Sequence, residues 1–115
     1  MKKYTQQTGK KPKSFSSRTS IPFSIRFQPK LARGFTFFEL KDRQLKEWQN
    51  FLDTISQLSF QEVDKLYRRE SDKTDIYNGE QVIHYGFGER FRIHGVIENA
   101  QFVVLRIDPL HSFHK

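Results

Sequence analysis

The chain has 115 residues, no cysteine and a formal net charge of +7. That length holds one hydrophobic core and leaves no room for a second. The absence of cysteine excludes a disulfide framework and a thiolate metal site, and no apolar run reaches the roughly 18 residues of a membrane helix.

The first segment, residues 1–20, is rich in Lys, Thr, Gln, Gly and Ser. It reads as a flexible basic arm, with residues 21–115 as a single α+β domain. Lysines near Met1 are followed by no apolar stretch, so no signal peptide is expected and the cytoplasm is the expected location. Residues 1–38 carry nine basic residues and no acid, whereas the remaining 11 bases share residues 39–115 with all 13 acids. The positive charge therefore belongs to the N-terminal third. Lys2, Lys3, Lys10, Lys11, Lys13 and Arg18 are the candidates for contact with a phosphate backbone, which attracts such segments without being read for sequence. A solvated tail that keeps the protein in solution is the other reading.

Order is expected from Ile21. Ile21, Phe23, Ile25 and Phe27 alternate with Pro22, Ser24, Arg26 and Gln28, a half-buried strand whose Pro22 points to a sheet edge. Pro29 and Gly34 mark a loop. Leu45, Trp48, Phe51, Leu52, Ile55 and Leu58 recur at helical spacing, predicting a helix near 41–58. Ser59-Phe60-Gln61-Glu62 fits a capping box and predicts a second helix near 60–70, with Val63, Leu66 and Tyr67 inward and Arg68 and Arg69 outward. Ser71–Glu80 reads as a loop. Val82–Phe87 is the next strand, and Glu89–Glu98 with Gln101–Asp108 forms a hairpin.

Register decides which side chains of this hairpin meet. A two-residue turn at Asn99-Ala100 mixes polar and apolar residues on both faces. A three-residue loop, Glu98–Ala100, sorts them. It puts Phe91, Ile93, Leu105 and Ile107 on the core side and Arg90, Arg92, His94, Arg106 and Asp108 on the other, with Arg90 opposite Asp108. His111 and His114 follow on the tail. Such a cluster can hold a phosphate, stabilise charge that builds on it, and offer imidazoles for proton transfer. A solvated face with cross-strand ion pairs is the plain structural reading of the same residues. Two histidines three apart with no third ligand argue against a metal, and no other cofactor is indicated.

The order strand–helix–helix–strand–strand–strand resembles the RelE/ParE superfamily of toxin–antitoxin toxins. The closest part is Arg-Phe-Arg-Ile-His-Gly at 90–95, then Phe-Val-Val-Leu-Arg-Ile-Asp at 102–108, then the His-containing terminus, about 30 residues in all. The resemblance implies a RelE-like fold: an antiparallel sheet of about four strands with two helices on one face (β-α-α-β-β-β). It implies that Arg92, Arg106, His111 and His114, with His94 and Lys115, lie next to bound RNA. It further implies a metal-independent endoribonuclease (an mRNA interferase, ribosome-bound or not) and a cognate antitoxin protein as partner. ParE-like members poison a topoisomerase and lack the nuclease residues, so a non-catalytic inhibitor of a replication or translation protein is the alternative. Gln57-Leu58-Ser59-Phe60 also resembles, with one Leu missing, the short peptide that docks on bacterial sliding clamps. A basic RNA-binding accessory protein of a phage or mobile element completes the set.

Overall fold

The computed structural model describes residues 21–113. The arm at 1–20, with Lys2, Lys3, Lys10, Lys11, Lys13 and Arg18, lies outside the described residues, as do His114 and Lys115. No helix among the described residues is long and apolar enough to cross a membrane.

The fold is α+β. Strand β1 (Ile25–Phe27) leads through a short 3-10 turn (Phe37–Glu39) to helices α1 (Asp42–Ile55) and α2 (Phe60–Tyr67). Five pieces of strand then follow α2 directly: β2 (Arg68–Arg69), β3 (Ile76–Tyr77), β4 (Glu80–Gln81), β5 (Ile83–Phe87) and β6 (Phe91–Glu98). Strand β7 (Gln101–Asp108) is the last element. The main sheet has five strands in the order β1-β7-β6-β5-β2, and β3 and β4 form a separate two-stranded sheet.

The helices begin and end where local chemistry dictates. The Ser59 side chain accepts from the Glu62 amide while the Glu62 carboxylate accepts from the Ser59 amide, satisfying two donors that the helix itself cannot. Leu58 and Phe60 on either side of this cap pack against the core. The clamp-like tetrapeptide is thus a helix junction with both its apolar side chains turned inward. One face of α1 buries Trp48, Phe51 and Ile55, and α2 buries Val63, all against the inner face of the sheet. There the aromatic rings stack in layers: Trp48 lies over Phe91 at 5.6 Å and Phe51 over Phe87 at 4.0 Å between centroids. Ile93 and Ile107 complete this core as expected. Leu52 is only half-buried, and Leu45 and Leu66 are exposed. The apolar stripe is therefore narrower than the spacing suggested, because the sheet covers only about one ridge of each helix.

Four differences from the sequence reading bear on the site. Strand β1 pairs with β7 in parallel, so the sheet is mixed and five-stranded rather than antiparallel and four-stranded. Helix α2 stops at Tyr67, and Arg68 and Arg69 pair with Tyr85 and His84 as an edge strand. The segment read as a loop holds the β3–β4 hairpin, turned by Asn78 and Gly79 at φ 50° and 81°. Both angles are positive, as the tightest hairpin turn requires, and Asn-Gly is the pair that tolerates them best.

The fourth difference is the β6–β7 register. The turn uses two residues, Asn99 and Ala100, both at positive φ. The face-mixing that this register implies is avoided by a bulge. Gly95 pairs with Val104 and His94 with Arg106, so Leu105 has no partner on β6. One extra residue on β7 restores the alternation beyond it. Leu105 is buried as expected, but on the outer face with Val82, Val96 and Val103. The bulge also explains Gly95, where an added Cβ would stand 2.2 Å from the Val103 carbonyl oxygen.

Candidate functional site on the outer sheet face

Beyond the bulge the outer face turns polar. Arg92 stands opposite Asp108 and His94 opposite Arg106. The four residues therefore share one face, although the pairs differ from those the three-residue loop implied. Arg90 is exposed at the β5–β6 turn and does not pair with Asp108. His84 of β5 lies beside His94, pairing across the strands.

Most of this face is covered. His94 is fully buried and Arg106 is only 8% exposed. Two segments close over them. From the loop before β3 comes Asp75, whose carboxylate accepts from His84 Nε2 at 2.7 Å and forms an ion pair with the Arg106 guanidinium. The second cover is the tail. Asp108 accepts hydrogen bonds from the Ser112 amide and hydroxyl and from the Phe113 amide, which folds the chain back. Phe113 then sits with its ring face 3.6 Å from the Arg106 guanidinium carbon, a cation–π contact in a nearly dry setting.

The result is a relay of polar contacts. Arg106 Nε donates to His94 Nδ1 at 2.7 Å, so His94 holds its acceptor nitrogen toward the arginine and is neutral in this arrangement. The imidazoles of His84 and His94 stack at 3.7 Å and 17°. Burial alone pushes the Asp75 carboxyl up. Hydrogen bonds from Arg106 and His84, with their charge, outweigh it and hold the group below the usual carboxylate range.

Asp75, His84 and His94 offer ligand atoms within 4.8 Å of one another. Two observations weigh against a cation there. The Arg106 guanidinium already contacts Asp75 and His94. The two rings are also nearly parallel, so the in-plane lone pairs that would bind an ion run alongside one another instead of converging. We read the cluster as the lock that holds the covering loop and tail to the sheet.

This lock makes acid stability a test. A carboxyl with a depressed folded pKa contributes stability above its unfolded value of about 4 and loses it as pH falls through the folded value. Asp75→Asn should therefore flatten the fall in stability between about pH 5 and pH 2, and should lower stability at pH 7. Urea unfolding of both proteins across that range measures it, and equal acid slopes would show that Asp75 is not the coupled group.

The open end of the face is different. Arg92 is half-buried, and its guanidinium lies over Gly86, donating to the Phe91 carbonyl at 3.1 Å. Arg69 reaches over the same glycine from β2. Among the described residues no carboxylate ion-pairs with either arginine within 4.0 Å. Burial lowers the pKa of Arg92, and the charge of Arg69 lowers it further, against a smaller opposing effect of Asp108. His111 is exposed in the turn after β7, at φ 55°, and its amide donates to the Asp108 carbonyl.

Of the residues the sequence singled out, the structure thus brings Arg92, His94, Arg106 and Asp108 onto one face, with His111 one turn past Asp108. It separates them into a covered group, His94 with Arg106, and an open group, Arg92 with His111 near its rim. The sequence reading missed Asp75, His84 and Arg69. His84 could have been found, since it falls on the polar side of Val82–Phe87. Comparison with protein-family models, with curated proteins and with solved structures finds no match for this chain.

Proposed function

We propose that the protein engages RNA through the open end of this face, as a RelE-like toxin that cleaves its substrate without a metal. The observation that carries the reading is the half-buried Arg92 beside Arg69, a concentration of positive charge that no nearby acid neutralises by direct contact. RNA supplies its own nucleophile in the 2′-hydroxyl, so the protein needs only to position the phosphate, stabilise its added charge and move protons. Arg92 has the reach for the first two tasks. His111, exposed and adjoining Asp108, is the described imidazole that can meet solvent and substrate, whereas His94 serves the lock beneath Phe113. A small acidic antitoxin would be the neutralising partner, and the basic arm would add salt-sensitive affinity.

Arg92→Ala should lower RNA cleavage by about a hundredfold or more, the scale expected when one charge-stabilising donor is lost. His111→Ala should lower cleavage while leaving RNA affinity intact, the mark of a group acting in the transition state. Growth arrest on induced expression, followed by cleavage of a defined RNA in a chelator, measures both. If Arg92→Ala and the Arg92→Ala/His111→Ala double variant retain full cleavage and arrest growth unchanged, the nuclease reading is lost. The burial of His94 favours one second reading, an RNA binder without chemistry. In that case RNA is bound but never cut, and His111→Ala changes nothing.

A further inference from the structure

We propose that Arg69 and Arg92 together seat a single phosphate group in the notch above Gly86, a deepening that rests on RNA being the partner. Three strands build the notch: Gly86 of β5 is its floor, Arg92 of β6 one wall and Arg69 of β2 the other. A Cβ added to Gly86 would lie 2.7 Å from Arg92 Nη1, 2.8 Å from Arg92 Cζ and 2.9 Å from Arg69 Cγ. Both side chains therefore cross the same Cα atom, and any residue larger than glycine would displace them.

The charge arrangement favours an anion. The Arg92 guanidinium is half-buried and Arg69 is exposed beside it, close enough for its charge to act on Arg92, an unfavourable pairing that a phosphate between them would reverse. Each guanidinium carries five N–H donors. Arg69 donates to the Arg68 carbonyl at 3.3 Å and Arg92 to the Phe91 carbonyl at 3.1 Å. Two neighbouring charged residues are engaged elsewhere. Asp108, opposite Arg92, directs its carboxylate to the amides of Ser112 and Phe113. Arg68, next to Arg69, pairs with Asp64 at 2.8 Å. Planar guanidinium forks match the oxygens of a phosphate, and two of them at an angle can grip three oxygens of one group.

Gly86→Ala offers a test that removes no charge. Binding of a short single-stranded RNA would be followed by fluorescence anisotropy at constant salt, and binding of inorganic phosphate by the NMR signals of the arginine Nε–H groups. Arg69→Ala, Arg92→Ala and Gly86→Ala should each weaken RNA binding by about tenfold or more, as expected for loss of charge-assisted hydrogen bonds. Arg33→Ala, an exposed site with the same charge change as the arginine variants, should weaken it by no more than about twofold. Phosphate should shift the Arg69 and Arg92 signals in the wild type and not in Gly86→Ala. If RNA binds and the three notch variants behave like Arg33→Ala, the seat is overturned while the RNA reading stands. If phosphate shifts both signals but no RNA binds, the seat stands and the RNA reading falls. Absence of both responses overturns both. Should Gly86→Ala fail to fold by circular dichroism, Arg69→Ala against Arg33→Ala decides the matter.

Discussion

Arg106→Ala is expected to cost about 3–5 kcal/mol, enough to unfold much of a domain of this size at 37 °C. The loss has little to do with the arginine's own solvation. Removing it takes the guanidinium from the Asp75 carboxylate, strips His94 Nδ1 of its donor and opens the space beneath Phe113. A buried charge deprived of its partner costs far more than the intact pair contributes. The Arg106→Ala/Asp75→Ala double variant should for that reason lose clearly less than the two single losses added together. Urea unfolding at pH 7 measures all three. A single-variant loss below about 1 kcal/mol would mean that the relay is solvated and that Phe113 does not exclude water.

Phe91→Ala should be of similar size, about 3–5 kcal/mol, by a different route. Phe91 is fully buried, stacked under Trp48 and 4.5 Å from Phe87 between centroids. Its neighbours come from a helix and two strands, so they cannot collapse together into the space without breaking the ladder. The cavity should persist, and the near-ultraviolet circular dichroism of Trp48 should change with it. Loss of stability with an unchanged Trp48 signal would indicate that the stack repacks. The contrast with Arg106 is useful: Phe91 variants should weaken the fold without any change in acid sensitivity.

Much of this architecture was legible. The alternation at Ile21–Gln28, the spacing of Trp48, Phe51 and Ile55, and the Ser59–Glu62 box are local signals; the last two mark their helices, and the first marks a strand that forms only over Ile25–Phe27. What escaped reading is non-local. Two-residue and three-residue turns at Asn99 both satisfy the pattern of β6, and the choice depends on the extra residue at Leu105, which becomes visible only when both strands are aligned. The coverage of the polar face was hidden for the same reason. Asp75 lies 31 positions from Arg106, and no periodicity joins them. A rule of chemistry would have helped more than pattern. An arginine on a strand that reads as buried at Val103, Val104 and Leu105, facing a histidine on the neighbouring strand, demands a carboxylate, and the nearby acids of residues 71–80 were the supply. Asn78-Gly79, inside the segment that reads as a loop, is the strongest short hairpin signal a sequence can carry.

The two ends of the sheet bear on strand pairing between molecules. An unpaired strand edge is a template for adding another chain, and proteins blunt it with short strands, prolines and charge. Here β1 has three residues, lies between Pro22 and Pro29, and presents Arg26, which is held by Glu98. Strand β2 has two residues, and both are arginine. Neither edge offers a neutral stretch long enough for intermolecular pairing. Arg69 therefore has two consequences at once: it charges the sheet edge against strand pairing and stays exposed to solvent.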